Sequence, residues 1–219
     1  MAQAGDLTKQ RIRDAGLALL SAEGLSGVSL GLLADRAGMS KSGLFAHYRS
    51  KDDLQIALLR ASAELAGRFV VAPAMAAAPG RPRLEAVFGL WCGWSGRAGL
   101  PGGCPVAAAI FELDDLAGPV RQAVVELERG WRDQLARFIR EAIDAGHLPT
   151  DLDVEQVVWE MTGIYLAHHA AARLVRAPDA DHRARAAFAR LMDWASQSAR
   201  PISVQQAAGG FGDDEFRRG

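Results

Sequence analysis

Residues 29–51, SLGLLADRAGMSKSGLFAHYRSK, decide the fold. Leu30, Leu33, Ala34 and Ala37 recur at helical spacing behind Ser29, a good N-cap, so a short helix is expected over 29–37. Gly38 supplies a tight stop, and Ser40 is placed to cap a second helix reaching about residue 48. In that second helix Leu44 and Phe45 are expected to turn inward, with Lys41, Ser42, Gly43 and His47 turned outward. Two helices joined this closely make a helix-turn-helix, whose second helix meets base edges in the major groove with its N-terminal residues. Gly43 has no Cβ, which suits close approach to sugar or phosphate. Ser50-Lys51-Asp52-Asp53 reads as a capping box that opens a third helix. Lys51 is thereby set beside exposed N–H groups that favour a phosphate. Ser29, Tyr48 and Lys51 are expected to hold phosphates, while Lys41, Ser42 and His47 approach bases.

Charge follows the same division. Residues 1–51 hold seven Lys/Arg against four acids, a net +3, and the remaining residues hold 18 against 22, a net −4. A basic head on an acidic body is the footprint of a DNA-binding protein whose other domain does something else.

The stretch resembles the N-terminal domain of the TetR-type one-component repressors. The matching residues are Leu33-Ala34, Ala37-Gly38, Met39, Ser40, the polar run Lys41-Ser42-Gly43, Leu44-Phe45, Tyr48 and Lys51. The likeness runs back through Arg11-Ile12, Ala15, Leu19-Leu20 and Gly24 and forward to Leu54, covering about residues 7–60. It departs from the family pattern where Phe45 replaces the usual Tyr and Tyr48 the usual Phe, so one hydroxyl moves by three residues. The resemblance implies a dimeric regulator whose helical body binds a small molecule.

Along the rest of the chain no strand pattern occurs, and periods of three and four dominate. Helices are expected over 7–23, 51–71 (ended by Pro73), 83–97, 106–115, 119–145, 153–176 and 180–198, with Pro/Gly-rich loops at 72–82 and 99–105. The chain thus predicts an all-α protein. A three-helix DNA-binding head (1–50) is joined by a shared helix to an effector-binding and dimerisation body (51–199), followed by a disordered tail (200–219). No apolar run approaches the length that spans a bilayer, and MAQAGDLTKQ lacks the apolar core of a secretion signal, so cytoplasmic residence without a membrane partner is expected.

Residues 153–176 carry two apolar stripes, so the helix should be buried on two sides. Met161, Tyr165 and His168 lie on one stripe. Together with Trp91, Trp94, Phe111 and Trp131 they are the expected walls of an effector cavity, with Glu112 as a further polar group. Ile164, Ala167 and Ala171 lie on the other stripe and, with Phe188 and Leu191 of the last helix, are expected to form a four-helix contact with a second copy.

Catalytic and metal readings are weaker. Glu112, Asp114 and Asp115 cluster as a solvated helix end does, Cys104 lacks a nucleophile signature, and no phosphate-binding or dinucleotide loop is present. His168 and His169 point about 100° apart on a helix, which does not suit a shared metal ion. No cofactor is expected. Taken with the resemblance, which implies dimerisation and an effector, the reading is a homodimeric repressor that binds a double-stranded palindromic operator and is released by a small, largely apolar effector. The alternative is a DNA-binding regulator gated by Cys104 oxidation or a protein partner.

Overall fold

The computed structural model describes residues 2–197, and every regular element among them is helical. The tail expected to be disordered lies outside the described residues. The head consists of α1 (Ala2–Gly27), α2 (Leu30–Ala37) and α3 (Lys41–Phe45), and α4 (Lys51–Ala66) leaves it for the body. The helical path of α4 continues through a π-helical turn, Gly67–Val71, into the short α5 (Ala72–Ala74). The body adds α6 (Arg81–Trp91), α7 (Trp94–Arg97), α8 (Pro105–Glu112), α9 (Pro119–Asp144), α10 (Val154–Ala170) and α11 (Ala180–Gln197). A second π turn, Ala171–Val175, follows α10 and ends on Arg176 in the left-handed region. None of the described helices is long and apolar enough to cross a membrane.

Three boundaries differ from those the sequence suggests. Pro73 does not end the α4 path. The Ala72 N–H bonds back five residues to the Gly67 carbonyl, and the widened turn lets Pro73 fall in the first turn of α5, where a missing N–H costs little. The single helix expected over 83–97 breaks at Cys92-Gly93, with Gly93 left-handed at φ 69°. The chain restarts at Trp94, so Trp91 and Trp94 both reach the interior from separate helices. The first helix also kinks, at Gly24 with φ 70°, a conformation that disfavours any side chain.

Two apolar clusters fill the molecule. One holds Ile12, Leu19, Leu20, Leu33, Leu44, Leu54 and Leu58 of the head, and it also takes in Ala109 of α8 and Val120 and Val124 of α9. The other is the body core, built around Leu84, Phe88, Trp94, Leu135, Ile139, Met161 and Met192. Head and body are therefore packed against each other.

Candidate functional sites: a basic helix-turn-helix and an aromatic cavity

Three serines build the helix-turn-helix. Ser29 caps α2 by accepting from the Leu32 N–H at 3.2 Å, and Ser40 caps α3 by accepting from the Gly43 N–H at 3.1 Å. Ser50 caps α4 through the Asp53 N–H at 3.0 Å, while the Asp53 carboxylate accepts from the Arg49 N–H, also at 3.0 Å. Gly38 ends α2 in the left-handed region. Ser40 and Ser42 hydroxyls lie 3.1 Å apart. Lys41, Ser42, His47 and Lys51 are exposed on one end of the molecule. Gly43 is half-buried, and a Cβ there would stand 3.2 Å from Ser40 Oγ and 3.3 Å from Met39 Cε, so local packing also favours glycine.

The recognition helix is shorter than expected. It ends at Phe45: the Ala46 N–H still reaches back four residues to Ser42, but the His47 N–H turns onto the Leu44 carbonyl three residues back, so His47 and Tyr48 lie beyond it. Only Leu44 turns inward. Phe45, expected beside it in the core, is 52% exposed, because successive helical residues diverge by about 100° and a five-residue helix has room for one inward position. Tyr48 is half-buried, and burial followed by the nearby Asp53 carboxylate raises its phenol above the usual range.

In the body, a cavity of about 320 Å³ opens between α4, α8, α9 and α10. Four of the seven expected wall residues line it: Trp91, Trp94, Trp131 and Tyr165. Trp91 stacks on Tyr165 with ring centres 4.0 Å apart and planes at 12°, and meets Trp131 at 5.0 Å and 61°. Met161 is fully buried in the core but is not part of the wall. His168 is buried one turn beyond Tyr165, with ring centres 6.2 Å apart, and its Nε2 lies 2.6 Å from Asp181 Oδ1 rather than in the cavity wall. Phe111 is 59% exposed: on α8 the neighbouring Ala107 and Ile110 take the cavity side, which turns Phe111 to solvent.

The wall also contains residues that the aromatic pattern did not mark. Ser62, Ala66 and Gly67 bring α4 and its π turn to the cavity, Cys104 precedes α8, and Thr162 comes from α10. Ser62 is a polar interruption between Ala61 and Leu65, which was the available signal. No Lys, Arg or His lines the cavity. Its two carboxylates are engaged, Glu128 by Arg132 at 2.9 Å and Glu126 by Gln122 at 3.2 Å. Thr162 donates to the Val158 carbonyl at 2.8 Å, and Trp94 Nε1 lies against Cys104 and Tyr165, whereas Ser62 Oγ and Trp131 Nε1 are buried with no protein hydrogen-bond partner. Burial raises the Cys104 thiol, and it raises the Tyr165 phenol well above the usual range.

The second stripe of α10 is divided. Ala167 is exposed, and Ile164 and Ala171 are half-buried along a groove shared with Ala187 and Arg190 of α11. Phe188 and Leu191, expected on the same contact, face inward instead. Phe188 lies flat on Phe88 at 4.1 Å and 4°, and Leu191 joins the body core. The opposite face of α11 is the outward one.

Residues 12–58 match the family model described as bacterial regulatory proteins, tetR family, and residues 80–188 match the tetracyclin repressor-like C-terminal domain. The chain belongs to the TetR family. It is a transcription regulator with a DNA-binding helix-turn-helix, a class of regulators rather than enzymes. A TetR regulator from Chloroflexus aurantiacus shares the fold with a TM-score of 0.77 and 20% identity, over 89% of this chain and 97% of that one. A TetR-family regulator from Cytophaga hutchinsonii gives 0.77 and 19%, over 88% and 96%. FadR from Bacillus subtilis, in complex with stearoyl-CoA, gives 0.64 and 17%, over 88% and 100%. No curated protein matches the sequence.

In this TetR-family chain the head is tied to the body by contacts that no motif announced. Glu112, placed by the sequence among an acidic trio or in the cavity, instead accepts from the Leu25 N–H at 2.9 Å and the Ser26 N–H at 3.3 Å, just past the Gly24 kink. Gln55 of α4 donates to the Leu25 carbonyl at 2.7 Å. The Gly102 N–H donates to Ser21 Oγ at 2.8 Å, and that hydroxyl donates to the Gly103 carbonyl at 3.2 Å. Two residues further on, Cys104 forms part of the cavity wall.

Proposed function

We propose that this TetR-family regulator is a repressor that binds a palindromic operator as a homodimer and releases it when a small, largely apolar effector fills the body cavity. The observation that carries this reading is the shared α4: it begins at Lys51 in the head and walls the cavity with Ser62, Ala66 and Gly67. π turns are rare and recur at functional sites, and Gly67 opens one, so a ligand pressing on Gly67 acts on an irregular point of the shared helical path. Moving α4 changes the separation of the two recognition helices. Heads spaced for consecutive major grooves, about 34–36 Å apart or a multiple, then no longer fit both half-sites. FadR from Bacillus subtilis, similar in fold, was solved with stearoyl-CoA, which supports a ligand site in a body of this shape. The dimer contact is assigned to the outward groove of Ile164, Ala167, Ala171, Ala187 and Arg190.

The thiols favour a ligand over oxidation as the signal. Cys92 is pushed up to about 11 by burial, and Cys104 is raised too, so both stay protonated at neutral pH, whereas the thiolate is the reactive form.

Two results test the reading. Lys51→Ala is expected to weaken binding to all duplexes alike and to reduce the salt slope by about one, as the loss of a single phosphate contact does. Gel-shift titrations over a range of salt measure both, and a change confined to sequence preference would put Lys51 on a base instead. Trp131→Ala is expected to blunt release by the effector while leaving operator affinity without ligand nearly intact. By linkage, operator DNA must weaken effector binding by the same factor as effector weakens operator binding. A Trp131→Ala protein that releases DNA at the wild-type effector concentration would reduce Trp131 to a packing residue.

A further inference from the structure

We infer that the effector is an uncharged, ring-bearing compound that presents an acceptor oxygen to Ser62 and Trp131 and carries no carboxylate or phosphate into the cavity. The inference rests on the reading of this cavity as the effector site. Three observations lead to it.

The first is hydrogen bonding. An indole N–H is a donor only, and a serine hydroxyl can donate. Trp131 Nε1 and Ser62 Oγ are buried with no protein partner, on α9 and α4, two helices that pack together and both line the cavity. Trp94 Nε1 also lacks a hydrogen bond of ordinary geometry, although it lies against Cys104 and Tyr165. Buried donors without partners are costly, so a ligand that brings a carbonyl or ether oxygen gains more here than a hydrocarbon of the same shape.

The second is charge. An anion in this space would leave water to face no cation, and the only charged lining groups are Glu126 and Glu128. A cation finds little more. Glu128 is already paired with Arg132, Glu126 is exposed to water where an ion pair gains little, and the Trp91 face that a cation would sit on is covered by Tyr165 at 4.0 Å. The third is shape. Four of the wall residues, Trp91, Trp94, Trp131 and Tyr165, are aromatic, which favours a ring that can meet them edge-on or offset over a flexible chain.

A probe series with one ring and four head groups tests this. Naphthalene, 2-acetylnaphthalene, 2-naphthoate and (2-naphthylmethyl)trimethylammonium are titrated into the full-length dimer by calorimetry. The ketone is expected to bind about tenfold tighter than naphthalene, the gain of roughly one well-made hydrogen bond, and tighter than both ions. Ser62→Ala removes a hydroxyl and Trp131→Phe removes the indole N–H while keeping an aromatic ring; each should shrink the ratio of ketone to naphthalene affinity several-fold, whatever the lost wall contact does to both ligands alike. Either variant suffices if the other does not fold. Naphthoate or the ammonium binding as tightly as the ketone would overturn the head-group inference while leaving the cavity as a site. A ketone that binds no better than naphthalene would overturn it too. Binding by none of the four would remove the cavity reading, and this inference with it.

Discussion

Gly102→Ala is expected to lower the stability of the full-length protein by about 3 kcal/mol or more, and its melting temperature by about 10 °C. Gly102 lies where the loop before α8 meets the first helix, with its N–H on Ser21 Oγ at 2.8 Å. A Cβ built there overlaps the Ser21 carbonyl oxygen and carbon, which are backbone atoms and have no rotamer to escape into. The loop must lift off α1, breaking both Ser21 hydrogen bonds and disturbing Cys104 at the cavity. Thermal unfolding followed by circular dichroism measures the effect. A melting temperature within about 2 °C of the wild type would mean that the loop and α1 separate at little cost and that this contact does not hold the head.

Leu191→Glu is expected to unfold the protomer rather than split a dimer. Leu191 is 4% exposed among the body-core residues, so the carboxylate must be buried unpaired or protonated, at a cost of about 4 kcal/mol or more. Ala167→Glu places the same charge on an exposed part of α10 and should leave the helix content intact while weakening self-association. Circular dichroism with sedimentation separates the two. A folded, monomeric Leu191→Glu protein would return Leu191 to the contact between copies.

The contrast between those two variants shows where sequence reasoning reaches its end. An amphipathic stripe tells that a face is covered, but not by what. Phe188 and Leu191 satisfy the pattern equally well against Phe88 within the protomer or against another chain, and only the packing of α11 on α10 decides. The helix-turn-helix was legible because its signals are local: Ser29, Ser40 and Ser50 each cap a helix three residues from the N–H they accept, and Gly38 stops α2 on the spot. Four cavity aromatics were legible from size and spacing. The break at Cys92-Gly93 was hidden because Val87, Leu90, Trp91 and Trp94 keep helical spacing across it. Phe111 was misplaced because an aromatic on an apolar helix reads as interior unless one knows that Ala107 and Ile110 already fill the inner side. Both π turns escaped because widening a helix by one residue leaves no mark on composition.

The shared apolar cluster of the head bears on how such regulators can be recombined. Ile12, Leu19, Leu33 and Leu44 close around Leu54 and Leu58 of α4, and then around Ala109, Val120 and Val124 from a part of the chain some fifty residues later. The reading unit is therefore not a detachable cassette. A chimera cut at residue 50 would strand the head's leucines in water, and one cut at residue 66 would still leave them against a foreign α8 and α9. On the operator-binding reading proposed above, exchanging specificity between relatives is better done by altering Lys41, Ser42 and His47 on the standing scaffold, because those side chains are exposed and take no part in the head's apolar cluster.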